Sequence, residues 1–189
     1  MITTQDDDLN IVRNRTFDQI AIGDTASITR TLTMDDIALF AVMSGDDNPQ
    51  HLDTEFAAAT RYQGVIAHGM WGASLISAVL GTRLPGAGTV YTGQTLRFLQ
   101  PVRVGDTLAI SVTVTALEPR SRHVTLACRC VNQHGAVVLE GEAQVIAPAE
   151  QIERARATLP EVRLHNGDGT RRLLEHARTG CKKRRVWPV

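Results

Sequence analysis

From Met70 to Leu84 the chain carries neither a proline nor an acidic residue, and Pro85-Gly86 ends the stretch. That pattern predicts the longest helix of the chain. Gly72, Ala73, Ser74, Ser77, Ala78 and Gly81 all fall inside it. Each glycine costs about 1 kcal/mol of helix propensity relative to alanine, so the expectation is that something packs very close around this helix. The chain beyond Pro85-Gly86 is β-rich. Thr89 to Leu99 reads as a long strand, interrupted by Pro101 and the turn Gly105-Asp106. Thr107 to Leu117 sets Leu108, Ile110, Val112 and Val114 against Ser111, Thr113 and Thr115, the period of a half-buried strand. Val124 to Val131, a turn at Gln133-His134-Gly135, and Ala136 to Ile146 complete a meander. An antiparallel sheet curled around one long central helix satisfies both halves of this pattern, and the fold class expected is α+β.

Upstream, Thr25 to Leu32 alternates imperfectly, with Arg30 on its apolar face, and reads as a half-exposed strand. Thr33 before Met34-Asp35-Asp36 is a helix start. Ile37, Phe40, Ala41 and Ser44 mark one face of that helix, and Gly45 ends it. Asp46 to His51 reads as a polar turn, and Asp53 caps a short helix through Phe56, Ala57 and Ala58. Residues 1–16 are polar, with a short extended piece near Ile11-Val12. Beyond Ala149, Gln151 to Leu159 is expected to form a short helix. A basic tail comes after it (Arg171, Arg172, Arg178, Lys182, Lys183, Arg184, Arg185) and reads as a solvated terminus. The expected organisation is one domain over 1–148 and an appendage over 149–189.

Composition excludes several classes. A hydrophobic fraction of 43% with zero formal net charge speaks against disorder and against a supercharged nucleic-acid binder, and 4% aromatics leave little for base stacking. No apolar run reaches the roughly 18–20 residues of a membrane span. The acidic start Met1 to Asp8 lacks the basic and apolar parts of a signal peptide. The expectation is a cytoplasmic protein with neither nucleic acid nor membrane as partner. Cys128 and Cys130, two apart in a strand, share a face and are poorly placed for a disulfide. His123 and His134 are nearby, but the spacing fits no zinc motif. Buried apolar cysteines are the better reading, so no metal is expected.

Ser44 to His51 holds an acid, an amide and an imidazole in one short segment stiffened by Pro49. Read from residue types alone it is a helix-capping turn or an acid–base site. Asp46 and His51 together suit a reaction that takes a proton from water and delivers one to carbon; an imidazole titrating near ~6.5 serves that at neutral pH. Asn48 can orient the water or a side chain. Ala67-His68-Gly69-Met70 opens the long helix, where unpaired N–H groups and a partial positive charge face outward. The Gly69 N–H suits polarisation of a thioester carbonyl. His68 is either part of that site or a structural residue beside the cap.

These two segments, Ser44-Gly45-Asp46-x-Asn48-Pro49-x-His51-x-Asp53 and Ala67-His68-Gly69-Met70, resemble the signature of the (R)-specific enoyl-CoA hydratases in the MaoC-like dehydratase group. The resemblance continues through Leu84-Pro85-Gly86, Tyr91, Phe98, Pro101-Val102 and Gly105-Asp106, and covers roughly residues 17–147. It implies a hot-dog fold with the helix Met70–Leu84 at its centre. It implies a homodimer with sheets joined edge to edge, and reversible hydration of a trans-2-enoyl-CoA to the (R)-3-hydroxyacyl-CoA. By the same resemblance Asp46 and His51 match the catalytic pair, Gly69 the residue binding the thioester carbonyl, Asn48 a supporting loop residue, and Ser77 a residue lining the acyl pocket. Met70, Trp71, Ser74 and Tyr62 are further candidates for the pocket walls. No cofactor is implied, since coenzyme A is part of the substrate. Alternatives on the same fold are a dehydratase for branched or carrier-protein-bound thioesters, a thioesterase, and a non-catalytic acyl-CoA-binding module. The thioesterase needs a helix carboxylate that 70–84 lacks; the binding module is expected to lack one member of the acid–base pair.

Overall fold

The computed structural model describes residues 11–164. In chain order its elements are β1 (Ile11–Arg13), a 3-10 turn (Phe17–Gln19), β2 (Thr25–Thr31), α1 (Met34–Ser44), α2 (Pro49–Leu52), α3 (Thr54–Ala59), α4 (Gly69–Thr82), β3 (Val90–Phe98), β4 (Thr107–Glu118), β5 (His123–Asn132), β6 (Val137–Ile146) and β7 (Glu153–Ala155). The described residues form two compact units, one of residues 11–32 and 66–159, the other of 33–65 with 160–164. Among the described residues no helix is long and apolar enough to cross a membrane.

The larger unit is an antiparallel five-stranded sheet, ordered β2-β4-β5-β6-β3, with α4 on its inner face. The alternation in β4 and β5 sets that face. Leu108, Ile110, Val112, Val114, Val124, Leu126, Cys128 and Cys130 are all buried. From α4, Gly72, Ile76, Val79 and Leu80 are buried and form the i, i+4, i+7, i+8 stripe of a helix on a sheet. Ile76, Val79 and Leu80, each 2% exposed or less, contribute about 1.5–3 kcal/mol apiece by leaving water. Cys128 and Cys130 are buried free thiols, as expected. Desolvation holds both protonated, pushing Cys128 up to about 11 and Cys130 to about 12.

The small residues of α4 divide into two groups. A Cβ on Gly72 would reach ordinary contact with Leu139, 3.5 Å away. Met70, Ser74, Ser77 and Gly81 instead lie on the exposed side, and a Cβ on Gly81 would meet nothing within 4 Å. Neither Gly72 nor Gly81 is therefore required by close packing among the described residues.

The helix expected over 151–159 is not formed. Glu153–Ala155 is a strand, β7, paired antiparallel with β1 in the register Ile11↔Ala155, Val12↔Arg154, Arg13↔Glu153. The buried Asn14 organises this ribbon. Its Nδ2 donates to the Glu150 carbonyl (2.7 Å), and its Oδ1 accepts from Ile152 N–H (2.7 Å) and Gln151 Nε2 (2.9 Å). Arg15 N–H donates to the Pro85 carbonyl (2.7 Å), tying the same segment to the turn after α4. Asn14→Ala removes three part-buried hydrogen bonds, each worth about 0.5–1.5 kcal/mol net. A clear fall in the thermal unfolding midpoint is expected. An unchanged midpoint would mean that the ribbon unfolds independently of the sheet.

The smaller unit holds α1, α2 and α3. The reading of Thr33 and Gly45 as caps is borne out. Thr33 accepts from Asp36 N–H in a full capping box, and Gly45 adopts φ 77° with its N–H on the Ala41 carbonyl. Ile37, Ala41 and Ala57 are its buried residues. The polar turn over Asp46 to His51 needs one correction: its second half is the single-turn helix α2, so His51 stands on a helix.

Candidate active site

Successive side-chain caps build the segment from Ser44 to Asp53. Ser44 Oγ donates to the Phe40 carbonyl (2.7 Å) and accepts from Asp46 N–H (3.2 Å). Asp46 Oδ1 accepts from Asn48 N–H (3.3 Å), and Asn48 Oδ1 in turn accepts from Gln50 N–H (3.0 Å). Both are bonds of a side-chain oxygen to the backbone two residues on, the turn that Asp and Asn favour. Pro49 then occupies the first position of α2, where its missing N–H costs nothing. His51 N–H closes the turn on the Asn48 carbonyl (2.9 Å). Asn48 is thus an N-cap whose oxygen is engaged by backbone. Gln50, which residue types did not single out, donates through Nε2 to the Gly64 carbonyl (3.0 Å) and pins α2 to the turn at 60–64.

The result is a fixed acid–imidazole pair. A carboxylate oxygen of Asp46 and a ring nitrogen of His51 lie within 4.8 Å of each other. Asp46 is exposed and His51 half-buried. Two groups that each bond a single water at about 2.8 Å, with a tetrahedral angle at the water, stand about 4.6 Å apart. A separation within that bound lets both groups reach one water.

In the larger unit, α4 begins at Gly69 with His68 as its N-cap residue. Helix geometry gives the first N–H groups no acceptor within the helix. Ala67 N–H donates to the Val102 carbonyl (2.8 Å) and Ile66 bridges to Arg103, so the lead into α4 is fastened to the segment after β3. His68 is 2% exposed. Gly69 is open on one side and carries the Phe98 ring on another: a Cβ there would lie 3.0 Å from Phe98 Cε1. Met70 is 55% exposed, Ser74 and Ser77 are exposed, and Trp71, at 6%, is buried. The Ser74 hydroxyl donates to the Trp71 carbonyl (2.7 Å). Tyr62, in the smaller unit, is half-buried with Arg61 stacked over its ring at 4.7 Å. The seat of Phe98 on Gly69 is not readable from the sequence as a contact, because nothing local pairs residues so far apart.

The profile of the MaoC-like domain matches residues 19–130. The (R)-specific enoyl-CoA hydratase of Rhodospirillum rubrum is 49% identical over 133 residues, which cover 70% of this chain and 92% of that protein. The 3-hydroxybutyryl-CoA dehydratase of Methylorubrum extorquens is 46% identical over 135 residues, 71% of this chain and 85% of that one. Among solved structures, the unliganded R-hydratase PhaJ1 from Pseudomonas aeruginosa superimposes with a TM-score of 0.79 at 42% identity, covering 82% of this chain and 99% of its own.

Proposed function

The chain belongs to the MaoC-like domain family, and from that premise we propose that it is an (R)-specific enoyl-CoA hydratase. It is a hydro-lyase of the hot-dog fold that adds water reversibly to a trans-2-enoyl-CoA, giving the (R)-3-hydroxyacyl-CoA. The observation that carries this reading is the acid and the imidazole of Asp46 and His51 brought within 4.8 Å of each other, where both can act on one water. The oxygen of that water adds at C3 of the enoyl group as the pair takes up its proton. The electron pair of the double bond moves onto the thioester as an enolate. A proton returned from the pair at C2 completes the hydroxyacyl product. The proton taken from water and the proton given to C2 are assigned to the pair as a coupled unit, not to either member alone. The reaction also needs a donor to the oxygen that becomes negative, and the Gly69 N–H at the head of α4 is assigned that part. Ser77, Ser74 and Met70, exposed along α4, are assigned to the acyl pocket.

Spectrophotometric hydration of crotonyl-CoA tests the reading. Turnover is expected, and the product should be consumed only by an (R)-specific dehydrogenase. Turnover of a carrier-protein or branched enoyl thioester with none on crotonyl-CoA would replace the substrate assignment by the related dehydratase reading.

We further infer that the working form is a homodimer joined along β3. This nine-residue strand is an edge of the sheet, carries no proline, and exposes Val90 (54%) and Tyr91 (40%). A long apolar edge of that kind is normally covered in the native state. Sedimentation equilibrium is expected to return twice the 20.6 kDa chain mass; a monomer at assay concentrations would overturn the inference.

A further inference from the structure

If Gly69 binds the thioester carbonyl, as the proposed function has it and as the inference below Phe98 requires, its being a glycine needs a physical reason. Its backbone gives none: Gly69 is the first residue of a regular helix and is absent from the positive-φ positions. Alanine would suit such a position better. Space gives the reason. A Cβ at 69 would stand 3.0, 3.2 and 3.3 Å from Cε1, Cδ1 and Cζ of Phe98, inside the roughly 3.5–4.0 Å of an ordinary carbon contact. The ring of Phe98 therefore rests on the Cα of Gly69.

The ring has little freedom to withdraw with its backbone. Phe98 ends β3 opposite Leu139 of β6, which is itself opposite Cys130, and both of these are buried on the inner face. The next residue, Leu99, donates its N–H to the Val138 carbonyl (2.9 Å). On the other side, Ala67 is fastened to Val102 (2.8 Å). Helix start and strand end are thus both held in place. Yet Phe98, although directed inward, stays 53% exposed. Part of its surface seats on Gly69 and the rest is open. An apolar ring packed on a residue whose N–H has no acceptor within the helix is chemically matched to a thioester, whose carbonyl needs a donor and whose sulfur and flanking carbons favour an aromatic surface.

We propose that Phe98 is a positioning residue for the hydration reaction, a role that rests on the hydratase reading. Its ring fixes the first turn of α4, sets the direction of the Gly69 N–H, and supplies the apolar wall against which the thioester lies.

A four-member cycle tests this: wild type, Gly69→Ala, Phe98→Val, and the double variant, each measured for kcat, KM and thermal midpoint. Gly69→Ala pushes against the ring and is expected to lower kcat about tenfold or more, since small misplacements at a reacting centre are costly. Phe98→Val is expected to raise KM severalfold. In the double variant the alanine methyl gains room, so both kcat and midpoint should recover relative to Gly69→Ala. Additive effects in kcat overturn the proposal, even if the midpoints couple, because the ring would then pack without positioning. An unchanged kcat in Gly69→Ala overturns it as well. A wild-type protein that turned over no enoyl thioester would overturn the function reading instead. The midpoints, measured without substrate, would still report whether ring and glycine pack as described.

Discussion

Asp46→Asn and His51→Ala are each expected to lower the hydration of crotonyl-CoA by about a thousandfold or more, the upper range for a positioned acid–base group. Asparagine keeps an Oδ1 that can accept the Asn48 N–H, as Asp46 does, so the loop has no reason to rearrange; what goes is the capacity to take a proton. Alanine at 51 keeps the backbone N–H that closes α2 on Asn48. The substituted side chains are exposed or half-buried, and neither change opens a cavity, so midpoint shifts should stay within about 2 °C. If the two groups share one water, the double variant should be little worse than the poorer single one, because the second loss removes a partner that has already stopped working. Retention of activity within tenfold of wild type in either single variant would remove that residue from the chemistry.

Much of the frame behind this site was legible because it is specified locally. Thr33 and Gly45 announce the ends of α1 through cap chemistry confined to a few residues. The alternation from Leu108 to Val114 fixes which face of β4 is buried, and the strand does what the pattern requires. The site motif was legible as residue types and as a family resemblance, since Asp46, Asn48 and His51 lie within one short segment. What escaped was decided by distant partners or by elements too short to have a period. α2 is a single turn opened by Asn48-Pro49, and one turn carries no repeat to distinguish it from a loop. Gln151 to Leu159 includes residues with good helix propensity, yet its centre is a strand, because Asn14 and β1, far back in the chain, take up its backbone groups. The glycines of α4 signalled close approach but not from which side. Gly69 answers to Phe98, whereas a Cβ on Gly72 would make only ordinary contact with Leu139 and one on Gly81 would meet nothing among the described residues.

Gly141→Ala carries the largest expected effect on stability. A Cβ at this position of β6 would stand 1.9 Å from the Thr95 carbonyl oxygen, 2.9 Å from its carbon and 3.1 Å from the Leu96 Cα. These are backbone atoms of the neighbouring strand, so no rotamer change relieves the overlap. β3 is an edge strand joined to the sheet through β6 only, and moving it away is the cheapest escape. The loss runs through the register from Thr95↔Glu142 to Phe98↔Leu139. We expect a cost of about 3 kcal/mol or more, in the tail of single substitutions, seen as a midpoint lower by about 6 °C or more. The damage should be local first. Amides of 90–98 should lose hydrogen-exchange protection, while those of β4 and β5, paired with each other at the centre of the sheet, keep theirs. Activity should fall further than stability explains, since Phe98 leaves Gly69 with the strand, and association along β3 should weaken with it. A midpoint within about 2 °C of wild type would show that β3 and β6 can part by an ångström or more without cost. The strand would then be too loosely held to aim the ring.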